Sequence, residues 1–222
     1  MLSGTPPVFN QEITGKNMLY GGICFITERS LSALSVEETV RRVLDAGIKW
    51  IQYRGKALFR RDMFLQAERL RRLADEYRAV LIVNDHADIA LAVDADGVHL
   101  GQDDLSLKAA RKIMGKKIIG ISTHNVDQAL EAQRNGADYI GFGPVFQTST
   151  KDAGTPRGLN LLRDVVSSLD IPVVAIGGIN LHNLMDVMRQ GASAVAVASG
   201  ILKSPDVSRT ARDFVNIIYA EI

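Results

Sequence analysis

Two glycine-containing segments in the last third of the sequence have the composition of a phosphate-binding backbone. Residues 175–180 read AIGGIN and residues 196–200 read AVASG. Each segment ends an apolar run and stands just before a predicted helix. Glycine lets a backbone approach a ligand closely, and the N–H groups at the start of a helix attract anions. The two segments therefore predict a site for a phosphorylated small molecule.

Cationic and amide side chains occupy the end of the second predicted strand, residues 50–54. Gln52 and Arg54 alternate onto the same side of this strand, and Lys56 follows in the loop. Arginine can bind a phosphate through two parallel hydrogen bonds. An unpaired charge inside an apolar strand is costly. These three residues therefore predict an anion clamp, with a solvated basic edge as the alternative.

Acidic side chains follow the next two predicted strands. Asp85 comes directly after Asn84 at the end of the third strand, and Asp104 follows the fourth. Carboxylates from adjacent strand ends can converge, and two such oxygen ligands beside phosphates are typical of Mg²⁺ sites completed by water. Helix capping is the alternative interpretation of both aspartates. A zinc site is disfavoured because the histidines are scattered and the chain has a single cysteine.

Hydroxyl groups follow the fifth and sixth predicted strands. Ser122 ends the fifth, where it can donate to a phosphate or cap the next helix. The longest predicted loop contains Thr148, Ser149, Thr150 and Lys151, three hydroxyls and a lysine in a row. Its length exceeds that of the other connections, and glycine and proline around it can act as hinges. We interpret it as a phosphate-gripping loop, with an ordinary polar loop as the alternative.

The sequence contains no recognisable nucleophile motif. It has no Gly-x-Ser-x-Gly elbow, no P-loop, and no lysine embedded in a strand. Cys24 lies in the apolar run 23–27 and is interpreted as a buried, unreactive thiol. A structural or solvated role is favoured for each histidine, although alternation can turn His99 into the barrel. A cationic clamp, a metal site and a second phosphate site fit a transfer in which diphosphate departs, stabilised electrostatically by the protein.

These residues need a scaffold that brings many strand ends together. Apolar runs of strand length, typical of strands buried on both faces, alternate with amphipathic helical stretches. The runs cover residues 23–27, 50–54, 80–85, 97–101, 118–123, 139–145, 172–178 and 194–199, and the clearest helical stretches cover residues 36–46, 61–77, 126–135 and 181–190. We predict an α/β fold, a single-domain (β/α)8 TIM barrel. A doubly wound open sheet is disfavoured because no Gly-x-Gly-x-x-Gly turn follows the first strand.

The composition limits the classes of partner. The 222 residues carry a net charge of +1, with 46% hydrophobic and 23% charged residues. This balance predicts one barrel domain over residues 21–222 after a short N-terminal arm over residues 1–20. A nearly neutral chain has no global field for nucleic acid or an anionic membrane, and no apolar stretch is long enough to span one. We expect small-molecule substrates and, from the single cysteine, a reducing cytoplasm; the sequence does not set the oligomeric state.

Taken in order, the motifs resemble those of the thiamine phosphate synthase family over nearly the whole chain after residue 20. The matching segments are residues 52–56 (QYRGK), 83–85 (VND), 97–104 (GVHLGQDD), 120–122 (GIS), 141–146 (GFGPVF), 148–151 (TSTK) and 175–179 (AIGGI). The resemblance implies a Mg²⁺-dependent coupling of 4-amino-5-hydroxymethyl-2-methylpyrimidine diphosphate with 4-methyl-5-(2-hydroxyethyl)thiazole phosphate, giving thiamine phosphate and diphosphate. In the family, the bond to diphosphate is thought to break first, and the thiazole nitrogen captures the resulting pyrimidine cation.

The resemblance also implies roles for individual residues. The residues that would bind the pyrimidine diphosphate are Gln52, Arg54, Lys56, Asn84, Ser122 and Lys151. Four of these, Arg54, Lys56, Ser122 and Lys151, would be the catalytic residues. Mg²⁺ would be held by Asp85 and Asp104. The residues that would contact the thiazole phosphate are Thr148, Ser149, Thr150, Gly178, Ala198 and Ser199.

Two positions depart from the family pattern. Gly55 stands where many members have a larger, often acidic residue, and Ala198 stands where a bulkier aliphatic residue is common. Neither departure removes a charged role, so we expect activity with altered affinity.

Three other functions are compatible with parts of the pattern. A thiazole tautomerase of the same fold lacks much of the diphosphate machinery, so the presence of Arg54, Lys56, Asn84, Asp85 and Lys151 argues against it. A phosphosugar isomerase or epimerase needs an acid–base pair, for which only Asp85 and Asp104 are candidates. A silent phosphate-binding protein would bind ligand without releasing diphosphate.

Overall fold

The computed structural model describes residues 22–56, 58–148 and 154–220. The strands, in chain order, are β1 Gly22–Ile26, β2 Trp50–Tyr53, β3 Val80–Asn84, β4 Gly97–Leu100, β5 Ile118–Thr123, β6 Tyr139–Phe142, β7 Val173–Ile176 and β8 Ala194–Val197. The helices are α1 Val36–Asp45, α2 Arg60–Glu76, α3 Ala87–Ala92, α4 Leu107–Met114, α5 Val126–Arg134, α6 Gly158–Ser167, α7 Leu184–Met188, α8 Ser199–Leu202 and α9 Val207–Ala220. The predicted arm over residues 1–20 lies outside the described residues.

The strands form a closed parallel barrel in sequence order. Each strand pairs with its neighbours along the chain, and β1 also pairs with β8, with Gly22 opposite Ala194 and Phe25 opposite Val197. This closure confirms the predicted (β/α)8 barrel and rules out the open-sheet alternative. All carboxyl ends of the strands therefore meet at one mouth, where barrel enzymes place their chemistry.

Side-chain alternation separates two apolar layers. The interior cluster consists of Cys24, Ile26, Trp50, Val80, Ile82, Ile118, Tyr139, Val174, Ala194 and Ala196. The alternate strand residues, such as Ile51 and Tyr53, pack outward beneath the helices. Because side chains alternate along a strand, Gln52 shares the inward side with Trp50, and Arg54 continues that parity past the strand end. The predicted sidedness of Gln52 and Arg54 is thereby confirmed.

The helices begin and end at residues that satisfy their terminal backbone groups. Ser35 caps α1 by accepting a hydrogen bond from the N–H of Glu38 at 3.1 Å. Gly47 and Gly136, just beyond α1 and α5, adopt φ angles of +104° and +85°. Both angles lie in the left-handed region that glycine adopts without a Cβ clash. A shared left-handed turn therefore accounts for the glycines that recur before strands.

Several predicted elements are longer than the observed ones, and the strands predicted over residues 172–178 and 194–199 are observed as Val173–Ile176 and Ala194–Val197. The strand predicted over residues 139–145 ends at Phe142, just before Pro144, which has no N–H to continue a ladder. The helix predicted over residues 181–190 is α7, Leu184–Met188. Its predicted first turn is replaced by side-chain bonds, in which the N–H of Asn180 donates to Asn183 Oδ1 at 2.8 Å and that of His182 to Asn180 Oδ1 at 2.9 Å. Asparagine side chains compete in this way with helical hydrogen bonds.

Two further expectations concern burial. Cys24 is 2% exposed in the interior layer, and burial raises the pKa of its thiol far above the ordinary range, confirming a buried, inert cysteine. Among the helices of the described residues, none is long and apolar enough to cross a membrane.

Candidate active site

The end of β1 holds both the backbone and the side chain of Arg54. The N–H of Arg54 donates to Thr27 Oγ1 at 2.9 Å, and the N–H of Thr27 donates to the carbonyl of Gln52 at 3.0 Å. The guanidinium forms an ion pair with Glu28, in which each side chain is 14% exposed. The predicted arginine is thus present but not unpaired, because Glu28 compensates its charge. A guanidinium has five N–H donors, so this pairing leaves donors for an anion.

The other members of the predicted anion clamp lie on either side of Arg54. Gln52 is buried at 4% exposure in β2, whereas Lys56 is exposed on the following turn. A Cβ at Gly55 would lie 2.6 Å from Tyr53 Oη, which donates to Gln66 Oε1 at 3.0 Å. The phenol of Tyr53 fills the space that a side chain at position 55 would need. A larger residue at this departure from the family pattern would therefore require Tyr53 to shift.

The two aspartates share the edge between β3 and β4. Asp85 has a φ of +66°, and its N–H donates to the carbonyl of His99 at 2.8 Å. Asp104 Oδ2 accepts from the N–H of Gly101 at 2.7 Å. Because α4 is capped by Ser106, the helix-capping interpretation of Asp104 is wrong. The carboxylate instead closes a turn at the barrel mouth.

The histidine next to Asp85 reports on the charges at this edge. Burial and the positive charge of Arg60 lower the pKa of His86, while the carboxylate of Asp104 acts in the opposite direction. His86 Nδ1 lies 2.7 Å from an Arg60 nitrogen. Since a guanidinium can only donate, Nδ1 accepts and the ring carries its proton on Nε2. The carboxylate of Asp104 therefore acts on a residue that directly follows Asp85 in the chain.

The side chain of Ser122 is hydrogen-bonded to a histidine of the barrel interior. Its Oγ lies 2.9 Å from His99 Nε2, and His99 Nδ1 lies 2.9 Å from Tyr139 Oη. Its carbonyl accepts from Gln102 Nε2 at 2.6 Å. Asn125, rather than Ser122, caps α5. His99 therefore joins the interior layer to the mouth.

The two glycine-containing segments meet beyond β7 and β8. Gly178 has a φ of +67°, and a Cβ there would lie 2.5 Å from the carbonyl oxygen of Gln147. The carbonyl of Gly178 accepts from Asn183 Nδ2 at 3.0 Å. Gly200 packs against the carbonyl of Ile179 so closely that a Cβ would overlap it. The predicted proximity of the two segments is therefore observed.

Both segments present backbone to the mouth. Ala198 stands at the N-cap of α8 and Ser199 is its first residue, and the first N–H groups of a helix lack intrahelical partners. The loop after β6 is tied to the same place, since the N–H of Phe146 donates to the carbonyl of Gly177 at 3.0 Å. This bond brings the chain leading to Thr148 beside the glycine turn. The predicted residues Ser149, Thr150 and Lys151 lie outside the described residues.

Residue types alone did not reveal two side chains that hold residues leading to this mouth. Glu28 pairs with Arg54 across 26 positions of sequence, and Tyr139 reaches His99 across 40. Strand alternation could have indicated Glu28, because it lies two residues beyond the inward-facing Ile26 and so shares its side. The signal for Tyr139 is a large polar ring on a strand whose next inward position, Gly141, has no side chain.

A groove of about 350 Å³ lies on the outer surface between α1 and α2, away from the barrel mouth. Its walls carry compensating ion pairs, Arg41 with Glu76 and Arg69 with Glu37, both at 3.3 Å. The groove brings together none of the predicted site residues. The convergence at the mouth, rather than this concavity, locates the candidate active site.

Comparison with known proteins places the chain in a family. The family model described as thiamine monophosphate synthase matches residues 23–201. The thiamine-phosphate synthase of Chloroflexus aurantiacus is 47% identical over 189 residues, covering 84% of this chain and 88% of that protein. That of Methanosarcina mazei is 42% identical over 210 residues, covering 93% and 87%.

A solved structure agrees with this assignment. The thiamine phosphate pyrophosphorylase of Pyrococcus furiosus superposes with a TM-score of 0.85 at 40% identity, covering 92% of this chain and 98% of that one. The fold, the order of the motifs and the extent of the match all point to one group. This chain belongs to the thiamine monophosphate synthase family.

Proposed function

We propose that this protein is a thiamine-phosphate synthase, a transferase that joins the pyrimidine diphosphate to the thiazole phosphate and releases diphosphate. One observation carries the proposal. The cationic end of β2, the two aspartates and the two glycine turns converge on one barrel mouth, in a chain that belongs to this family. A single phosphosubstrate would not require this combination of cations, carboxylates and backbone donors.

The pyrimidine diphosphate would bind at the ends of β2 and β3. Arg54 is the central anion ligand, since Thr27 and Glu28 fix its position before substrate arrives. Gln52 and Asn84 supply neutral polar groups, and Lys56 adds an exposed cation on the adjacent turn. The proposal adds Ser122 at the pyrimidine and Lys151 at the diphosphate.

Asp85 and Asp104 would hold Mg²⁺. Their carboxylate oxygens are the hard ligands that this ion prefers, and both lie at the β3–β4 edge beside the anion clamp. Among the described residues, no group of three or more His, Cys, Asp or Glu side chains is placed to hold a metal ion. With only two protein carboxylates, the remaining ligands of a bound Mg²⁺ would be water and phosphate oxygens. Bound there, the ion would neutralise charge on the diphosphate.

The thiazole phosphate would bind across the mouth at the glycine turns. Its proposed ligands are Thr148, Ser149 and Thr150 of the loop and the backbone of Gly178, Ala198 and Ser199. The contact of Gly178 with the carbonyl of Gln147 supports this grouping, because it places loop and turn side by side. Backbone N–H groups at a helix start suit a phosphate.

The reaction proposed for this site breaks the carbon–oxygen bond to diphosphate first. The bonding electrons leave with the diphosphate, and the thiazole nitrogen then forms the new carbon–nitrogen bond to the pyrimidine cation. Arg54, Lys56 and Lys151 would stabilise the negative charge that grows on the departing group. Holding the thiazole at the opposite turns would place its nitrogen in line for capture.

The proposal is tested by measuring diphosphate release from the purified protein given both substrates and Mg²⁺, with each component omitted in turn. We expect release to require all three, with thiamine phosphate formed in equal amount. Saturable binding of the thiazole phosphate without diphosphate release would contradict the proposal and favour a tautomerase or a silent binding protein. Release without any Mg²⁺ requirement would remove the metal from the proposal.

A further inference from the structure

A buried chain of hydrogen bonds runs from the barrel interior to the mouth. Tyr139 is 1% exposed and His99 is 8% exposed. Tyr139 Oη lies 2.9 Å from His99 Nδ1, and His99 Nε2 lies 2.9 Å from Ser122 Oγ. The last hydroxyl is half-buried at the mouth, so the chain connects a sealed phenol to a group that substrate can reach.

Glycines create the space for this chain. A Cβ at Gly120 would overlap the ring of Tyr139, and a Cβ at Gly141 would lie 3.0 Å from His99 Cε1. The phenol ring also packs edge-on against Trp50, with ring centroids 5.3 Å apart and an interplanar angle of 85°. The rings are held on several sides, so the geometry of the chain is fixed by packing.

The direction of the hydrogen bonds follows from counting donors and acceptors. Within the described residues, His99 Nδ1 is the hydrogen-bond partner of Tyr139 Oη. Burial raises the pKa of Tyr139 well above its ordinary range, so the phenol keeps its proton. The neighbouring indole of Trp50 offers only an N–H donor and cannot accept that proton. If His99 Nδ1 donated to Tyr139, the phenol proton would be a buried donor without an acceptor, which folded proteins avoid.

We therefore propose that Tyr139 is a positioning residue that donates to His99 Nδ1, fixing the neutral ring with its proton on Nε2. Nε2–H then donates to Ser122 Oγ and occupies an acceptor site of that hydroxyl. The Ser122 proton is left to point away from His99, toward the mouth. Tyr139 thus makes Ser122 a hydrogen-bond donor to substrate without touching the substrate itself.

The chemical consequence concerns substrate choice and rests on the proposed function. A donating Ser122 recognises an acceptor, such as an unprotonated ring nitrogen of the pyrimidine. With the opposite polarity, the Ser122 proton would point at His99 and the oxygen would present lone pairs only. The site would then favour a donor group on the substrate. The buried phenol therefore sets which heteroaromatic edge the mouth accepts.

The first test reads the tautomer directly and needs no substrate. Protein labelled with ¹⁵N-histidine is examined by long-range ¹H–¹⁵N correlation, and the His99 signals are assigned by their loss in His99→Gln. We expect a protonated Nε2 and an unprotonated Nδ1 near neutral pH. A protonated Nδ1, alone or together with a protonated Nε2, would overturn the inference.

The second test asks whether the polarity matters to the reaction. In Tyr139→Phe each tautomer leaves one bond of the chain unsatisfied, so the share of Nε2–H should fall. We expect kcat/KM for the pyrimidine diphosphate to fall about fivefold, the effect of one neutral hydrogen bond, with KM for the thiazole phosphate unchanged. Tyr77→Phe, which removes a phenol bonded to Asp45 on the outer surface, is the matched control and should change neither quantity.

A double-mutant cycle separates positioning from a general loss of packing. In a Ser122→Ala background, Tyr139→Phe should have no further effect on kcat/KM, because the hydroxyl it orients is gone. An equal loss in both backgrounds would overturn the positioning role. The tautomer measurement does not depend on catalytic activity. A protein that shows Nε2–H but no coupling reaction would contradict the proposed function and leave the hydrogen-bond polarity established.

Discussion

At the scale of single residues, Arg54 is the side chain whose environment says most about its role. Its ion pair with Glu28 holds a cation in a setting where each partner is 14% exposed. Thr27 fixes the backbone of the same residue. A cation held this rigidly loses little conformational freedom when it meets a transition state, which is the property that electrostatic catalysis requires.

Arg54→Ala should therefore reduce turnover more than binding of the second substrate. The lost interaction strengthens as negative charge moves onto the leaving group, so we expect kcat to fall about a hundredfold. KM for the thiazole phosphate should stay within about twofold, since that ligand binds at the opposite turns. Steady-state kinetics with each substrate varied in turn measures both quantities.

The control for this substitution is Arg42→Ala, which removes a half-buried arginine paired with Glu38 on α1, outside the candidate site. It should leave kcat unchanged. Circular dichroism would verify that the Arg54 variant is folded despite the unpaired Glu28. A normal kcat with a raised KM for the thiazole phosphate would contradict the assignment of β2 to the diphosphate.

Residue types predicted the inward parity of Gln52 and Arg54 and the aspartates at neighbouring strand ends. They did not predict Glu28 as the partner of Arg54, because that contact joins two strands and depends on register. Asp104 shows the same limit. The sequence allowed a helix cap or a metal ligand, and the cap was excluded only by the structure, in which Ser106 caps α4 and Asp104 bonds to Gly101.

At the scale of elements, the turn after β7 depends on the backbone conformation of Gly178. Apolar runs in the sequence, together with the glycines that end the preceding helices, located every strand of the barrel. They overestimated the length of β6, β7, β8 and α7. In β6 and α7, Pro144 and the side chains of Asn180 and Asn183 end the regular pattern. Sequence periodicity records which face is buried, whereas element ends depend on local side-chain competition for the backbone.

Gly178→Ala is expected to damage both stability and phosphate binding. The substitution adds the strain of a left-handed alanine, about 1 kcal/mol, and a Cβ 2.5 Å from the carbonyl oxygen of Gln147 and 2.7 Å from Phe146 Cβ. The loop after β6 must move to relieve this contact. We expect KM for the thiazole phosphate to rise about tenfold, measured together with the free energy of unfolding in urea.

Gly136→Ala is the matched control for this prediction. Gly136 also has a positive φ, +85°, but a Cβ there would meet nothing within 4 Å. It should lose stability through backbone strain alone, with kinetics unchanged. If the two variants lost equal stability and neither altered KM, the close contact at Gly178 would have no role in binding.

At the scale of the whole molecule, closure of the barrel links the two ends of the described chain. β1 cannot complete its pairing until β8 is in place, because Cys24 lies opposite both Trp50 of β2 and Ala196 of β8. Such long-range pairing favours opening as one unit. Cys24 lies in the interior layer and is therefore a natural probe of that opening.

We expect alkylation of Cys24 to require global unfolding. The thiol is 2% exposed and burial raises its pKa, so the folded state should be unreactive near neutral pH. The alkylation rate should rise with urea along the same slope as global unfolding followed by circular dichroism. Reaction that is independent of urea would instead show local opening at the β1–β8 seam, and fully denatured protein gives the reference rate.

The glycines facing Tyr139 and His99 have a consequence for how this lineage can change. The rings of Tyr139 and His99 lie in the space that side chains at Gly120 and Gly141 would occupy. A Cβ at Gly120 would overlap the Tyr139 ring, and one at Gly141 would force His99 to shift. A smaller residue in place of either ring opens a void. We therefore expect a substitution at one member of a pair to need a compensating one at the other, so that changes in the setting of Ser122 depend on residues beneath the surface.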